Sequence, residues 1–147
     1  MFANTTPHRE DKAVIDLTVK DHARDAAREA VVVRPDATLR DVARKLYLDD
    51  VGAAVVSAGK DILGVISERD VVRQLAMDDD PDRGVAADAM TRHICTARPD
   101  DPLLDVVFQM VDASVRHIPV IGADGEIGGM VSIRDVLRPL LVERFGG

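Results

Sequence analysis

The chain has 147 residues, is 46% hydrophobic but only 3% aromatic, and carries a formal net charge of −7. That acidity excludes a nucleic-acid backbone or an anionic membrane as the main partner, because both need a basic footprint. The one cysteine, Cys95, excludes an internal disulfide, and neither a signal-peptide pattern nor an apolar run of about 18 residues is present, so the sequence predicts a cytoplasmic protein.

In chain order, residues 1–20 read as a polar tail followed by an edge segment, with a short strand over Ala13 to Val19. Asp21 then caps an alanine-rich helix that runs to Ala30, and Val31 to Val33 is a brief buried strand. Leu39, Val42, Ala43 and Leu46 recur at helical spacing, and Gly52 to Val56 reads as a strand turning through Ala58-Gly59-Lys60-Asp61. A second strand behind Gly64 runs into a helix with Val71, Val72 and Leu75 on its apolar side. The acidic stretch 78–84 lacks the oxygen-ligand spacing of a calcium loop and reads as a solvated linker.

Beyond it, Val85 to Thr91 predicts a short helix, and Ile94 to Ala97 a buried strand in which Cys95 is an inert core thiol. A helix follows with Leu103, Val106, Val107 and Met110 inward, then a strand over His117 to Ile121 and a hairpin at Asp124-Gly125. Pro139 interrupts the last helix. It removes a backbone hydrogen bond and crowds the preceding turn, which predicts a kink or an early end near Arg138, with Leu140 to Phe145 as a separate turn.

The chain states one phrase twice. Gly64, Ser67, Arg69 and Asp70 return 65 positions later as Gly129, Ser132, Arg134 and Asp135, while Arg34, Pro35 and Asp41 return 64 positions later as Arg98, Pro99 and Asp105. Such an offset marks a tandem repeat, and each copy reads as strand, helix, strand, strand, helix. One residue inserted before Arg116 accounts for the change of offset, which makes Val51 and Gly52 the counterparts of Arg116 and His117. The predicted organisation is a first repeat over 21–77, the acidic linker over 78–84 and a second repeat over 85–145.

Ser67 and Ser132 stand where an N-cap belongs, and Asp70 and Asp135 three residues on complete a capping box. Capping does not explain Arg69 and Arg134. At the second helical position a cation opposes the helix dipole by a few tenths to about 1 kcal/mol, so each arginine needs a charge partner, either the neighbouring aspartate or a bound anion. The usual catalytic motifs are missing, from nucleophile elbow to phosphate-binding loop, and so is a His or Cys pair at metal spacing. The chain therefore reads as a binding module that needs no cofactor, rather than an enzyme.

The doubled Gly-Val-Ile-Ser-Glu-Arg-Asp and Gly-Met-Val-Ser-Ile-Arg-Asp phrases resemble a tandem pair of cystathionine-beta-synthase (CBS) domains, the Bateman module. Val51-Gly-Ala-Ala-Val-Val, Val115-Arg-His-Ile-Pro-Val and Asp88-Ala-Met-Thr add to the likeness. The resemblance implies an α+β fold with two repeats packed through their sheets in pseudo-twofold symmetry, two clefts between them, and a homodimer formed through helices. It implies a regulatory role, with an adenosine-containing ligand such as AMP, ADP, ATP or S-adenosylmethionine and a signal passed to a partner protein. Ser67, Arg69 and Asp70 would then belong to one cleft and Ser132, Arg134 and Asp135 to the other. The aspartate would hold the ribose and the helix N-terminus a phosphate, with adenine near Val31 to Val33 or Ile94 to Thr96.

Family members often place phosphate-binding side chains where Arg116 and His117 stand. If these reach across to the opposite repeat, the Asp70 cleft has the fuller phosphate grip and is the tighter of two unequal sites. The rival reading is a structural or dimerisation module with empty clefts, in which apolar helix faces such as Val71, Val72 and Leu75 matter chiefly as a dimer surface.

Overall fold

A computed structural model describes residues 30–146; the predicted tail, edge strand and alanine-rich helix fall almost wholly outside this range. The first repeat contains β1 (Val32–Val33), α1 (Leu39–Leu48), β2 (Ala53–Ala58), β3 (Asp61–Ser67) and α2 (Glu68–Ala76), followed by a one-turn helix α3 (Ala86–Ala89). The second contains α4 (Leu103–Ala113), β4 (His117–Ile121), β5 (Ile127–Ser132) and α5 (Ile133–Phe145).

Local sequence fixes the helix ends. Thr38 caps α1 by accepting from the Asp41 amide at 3.1 Å, and Ser67 and Ser132 form complete capping boxes with Asp70 and Asp135. Behind α1 and α4, Asp50 and Ser114 take up left-handed backbone, with φ of 53° and 55°. They occupy the same repeat position, which lets Val51 and Val115 bond back to the carbonyls of Leu46 and Met110.

β1 pairs in parallel with β2, which pairs antiparallel with β3; β4 and β5 form the second hairpin. The predicted strand Ile94 to Ala97 is reduced to one parallel bridge between Ala97 and Val120, the counterpart of the pairing between Val33 and Val56. Cys95 is accordingly half-buried against the second core rather than sealed inside it.

The strand register relocates the insertion. Ala53 pairs with Ser67 as His117 pairs with Ser132, so Gly52 and Ala53 are the counterparts of Arg116 and His117. The extra residue lies in the second hairpin, where Val120 pairs with Gly129 while Val56 pairs with Gly64. A turn absorbs an added residue cheaply, whereas one before Arg116 would slip β4 and turn its buried side chains outward.

Each repeat has its own core. Leu39, Val42, Leu46, Ala54, Val56 and Ile66 lead the first, and Leu103, Val106, Met110, Ile118, Val131 and Val136 the second. A third cluster, with Ala53, Val55 and Val65 from the first repeat and Met130 from the second, joins the two through their sheets. The 85–91 segment opens the second repeat in sequence, yet Ala86, Ala89 and Met90 pack into the first core, where Thr91 exchanges hydrogen bonds of 2.9 and 3.0 Å with Val65.

Pro139 does not end the last helix. α5 continues to Phe145, with Val136, Pro139 and Leu140 all buried. Burial of that face offsets the lost bond to the Asp135 carbonyl and the crowding of the preceding turn, terms the sequence reading counted alone.

Candidate functional site

A cleft of about 490 Å³ lies between the repeats. The second repeat supplies Arg116 and His117 from the start of β4, Ser132 from the end of β5, and Arg134 and Asp135 from the first turn of α5. The pairing of His117 with Ser132 brings these side chains together. The first repeat supplies the facing wall, which includes Val31, Gly52, Ala53 and Glu68.

The two aspartates of the repeated phrase differ in what they touch. Asp70 is buried, and both carboxylate oxygens are occupied: Oδ2 accepts from the Ser67 amide at 2.8 Å and its hydroxyl at 3.0 Å, and Oδ1 from Arg73 at 2.7 Å. Asp135 is half-buried and accepts the Ser132 amide at 3.1 Å on Oδ2. Its Oδ1 has no bonded partner among the described residues, although Arg138 stands at the repeat position of Arg73. One carboxylate is spent on its own helix, while the other retains acceptor capacity at the cleft.

Arg116 and Arg134 are exposed and form no ion pair among the described residues. Arg69 and Arg134 do not pair with the aspartates beside them, since Arg73 takes Asp70 instead. Arg134 thus lines the cleft with Arg116 at the N-terminus of α5, where the helix dipole already favours an anion.

His117 is held against the first repeat. A Cβ at Gly52 would stand 2.8 Å from its Nε2 and 3.6 Å from Oε1 of Glu68, so only glycine admits the ring beside that carboxylate. Burial pushes the His117 pKa below its ordinary value; Glu68 and Asp135 pull it up more weakly, and Arg116 lowers it further. The neutral ring therefore prevails at neutral pH.

Because its folded value is depressed, the unfolded chain takes up the proton first as pH falls. The contribution of His117 to stability is full above the unfolded value near pH 6.5 and declines as pH drops towards the folded one. Urea unfolding at pH 7.5 and 5.5 should show a larger loss in the wild type than in His117→Asn. Equal losses in both would remove His117 as the cause.

Of the residues singled out from sequence, Arg116, His117, Ser132, Arg134 and Asp135 line this cleft, and Ser67, Arg69 and Asp70 do not. The cross-repeat pairing is corrected: Arg116 and His117 share the cleft of Asp135, their own repeat's aspartate, and not that of Asp70. At the matching positions near Asp70 stand Gly52 and Ala53, which offer an anion no side chain. Val31 lines the cleft as the resemblance implied, whereas Ile94 to Thr96 do not. Glu68 was missed, and its signal was present: the repeats differ there, with Ile133 in the same place after the cap.

Two strand-and-helix repeats joined through their sheets, with a polar cleft between them, define a paired-repeat binding module. The CBS domain model matches residues 19–77 and 85–142, and the chain belongs to the CBS domain family. An uncharacterised protein of Methanopyrus kandleri is 31% identical over 121 residues; the match covers 80% of this chain and 62% of that protein, so the chain spans less than two thirds of that relative's length. A CBS domain protein from Pyrobaculum aerophilum, solved in complex with AMP, is 32% identical with a TM-score of 0.76, covering 89% of this chain and all of that one. A CBS domain pair solved with 5′-methylthioadenosine and S-adenosyl-L-methionine is 20% identical with a TM-score of 0.74, covering 84% of this chain and 94% of that one; at that identity the likeness is one of fold. Among the described residues no helix is long and apolar enough to cross a membrane.

Proposed function

We propose that this protein is a regulatory module that binds an adenosine nucleotide, AMP in the first instance, in the cleft lined by Asp135. The observation that carries this reading is the Asp135 carboxylate, partly unpaired among the described residues, beside Arg116 and Arg134, which form no ion pair among them. A carboxylate can accept both vicinal ribose hydroxyls, while Arg116 and Arg134, aided by the dipole of α5, take the phosphate. Val31 and Met130 offer the apolar wall a purine ring needs. The AMP complex of the Pyrobaculum aerophilum relative supports the choice of ligand.

On this reading one chain binds one nucleotide, because the Asp70 carboxylate is already occupied and lacks cations at the positions of Arg116 and His117. Binding then shifts the shape or rigidity of the repeat pair, and a partner protein reads the change. Calorimetric titration of the protein with AMP, ADP, ATP, S-adenosylmethionine and GMP tests the proposal. Saturable binding of AMP near one per chain, with GMP weaker, is expected. No heat and no thermal shift with any adenosine compound would overturn it in favour of a structural module.

The same chain is proposed to form a homodimer through its helices. Val72 on α2 and Leu141 and Val142 on α5 are 63%, 53% and 58% exposed, apolar side chains that a helix-to-helix contact would cover. Light scattering after size exclusion should give twice the chain mass, and Val142→Glu should shift the population towards monomer at micromolar concentration. A wild type that stays monomeric at every concentration would remove the dimer.

A further inference from the structure

We propose that Glu68 sets how many phosphates the cleft accepts, favouring a nucleoside monophosphate over a di- or triphosphate. The inference rests on the nucleotide reading of the Asp135 cleft. Glu68 is the first residue of α2 and stands on the first-repeat wall, facing the side that carries Arg116, Arg134 and the N-terminus of α5. Its amide is fixed by the Gly52 carbonyl at 2.9 Å, and its carboxylate lies beside Gly52 with the His117 ring. It has no ion pair among the described residues, so its charge is not cancelled by a neighbour.

The first phosphate is matched by the guanidiniums of Arg116 and Arg134. Each further phosphate adds about one negative charge to a chain that must extend from that corner towards the opposite wall. Among the described residues that line the cleft, the remaining cation-capable side chain is His117, which burial keeps neutral, and the carboxylate of Glu68 repels what arrives. In a partly solvated cleft, one such repulsion weakens binding roughly five- to tenfold. Position 133, the counterpart of Glu68, is isoleucine, so capping of the second helix requires no acid there.

The test is titration with AMP and ATP, without divalent cations, of the wild type, Glu68→Gln and Asp82→Asn. Asp82 is an exposed carboxylate paired with Arg40, away from the cleft, and controls for the change in net charge. The wild type is expected to prefer AMP by about tenfold or more. Glu68→Gln should narrow that ratio about five- to tenfold, mostly by tightening ATP, and the effect should shrink at high salt, while Asp82→Asn leaves the ratio unchanged. A ratio in Glu68→Gln within twofold of wild type, with AMP still binding, overturns this inference alone. Failure of the wild type to bind any nucleotide overturns the nucleotide reading and this inference with it.

Discussion

Asp135→Ala is expected to weaken AMP binding about ten- to a hundredfold, the loss of a charge-assisted contact of about 1.5–3 kcal/mol, with only a modest fall in stability from the missing half of a capping box. Asp70→Ala should do the reverse. That carboxylate is buried, accepts two bonds from Ser67 and holds Arg73, so its removal breaks the capping box of α2 at a buried position and leaves the Arg73 guanidinium without its carboxylate. Together these should cost about 2–4 kcal/mol, a fall of roughly 5–15 °C in Tm for a chain of this size, while AMP affinity in the folded protein stays within a few fold of wild type. Calorimetric titration and thermal melts on both variants separate the roles. Loss of binding in Asp70→Ala but not in Asp135→Ala would place the ligand in the other cleft.

The contrast between these aspartates could not be read from the sequence, and the reason is physical. Ser67 and Asp70, and Ser132 and Asp135, are the same residues at the same spacing, each followed three positions on by an arginine, Arg73 or Arg138. Whether that arginine folds back onto the carboxylate depends on what else it can reach. Arg73 also approaches the Ala89 carbonyl, at 3.5 Å, on the short helix that packs against the first repeat. A contact sixteen residues away in sequence thus helps decide which carboxylate remains available, and no local pattern carries that information.

Legibility elsewhere followed how local the determining forces are. The capping boxes, the buried faces of α1 and α4 and the hairpin at Asp124-Gly125 are short-range features and stand where the pattern put them, whereas on α2 only Val71 of the predicted apolar side is buried and Val72 and Leu75 are exposed. Pro139 misled because its local cost is visible in sequence while the burial that offsets it is not. The position of the insertion misled for a related reason. Two offsets, 64 and 65, leave a choice of site for the extra residue, and only the pairing of His117 with Ser132 decides between a slipped strand and a longer turn. That choice made Val51 and Gly52 the counterparts of Arg116 and His117, where the register gives Gly52 and Ala53.

Gly64→Ala should destabilise the protein by about 2–4 kcal/mol, although it adds one methyl group to a strand residue of ordinary backbone geometry. A Cβ there would stand 2.5 Å from the Thr91 carbonyl oxygen and 2.8 Å from Sδ of Met90. The methionine can swing aside, but Thr91 is held by reciprocal hydrogen bonds to Val65, and moving its carbonyl breaks the bridge that docks the 85–91 segment on β3. Gly125→Ala is the control. Gly125 has a φ of 80° with nothing within 4 Å of an added Cβ, so its cost is the left-handed backbone alone, about 1 kcal/mol. Urea unfolding of the two variants distinguishes close approach from backbone strain as the reason for glycine in the repeated phrase. Because the segment docked on Gly64 is the connection into the second repeat, Gly64→Ala should also loosen the joint between the cleft's two walls, seen as faster amide exchange at Thr91 and Val65. A Gly64→Ala variant no less stable than Gly125→Ala, with both amides still protected, would show that β3 tolerates the methyl and that the glycine answers to some other constraint.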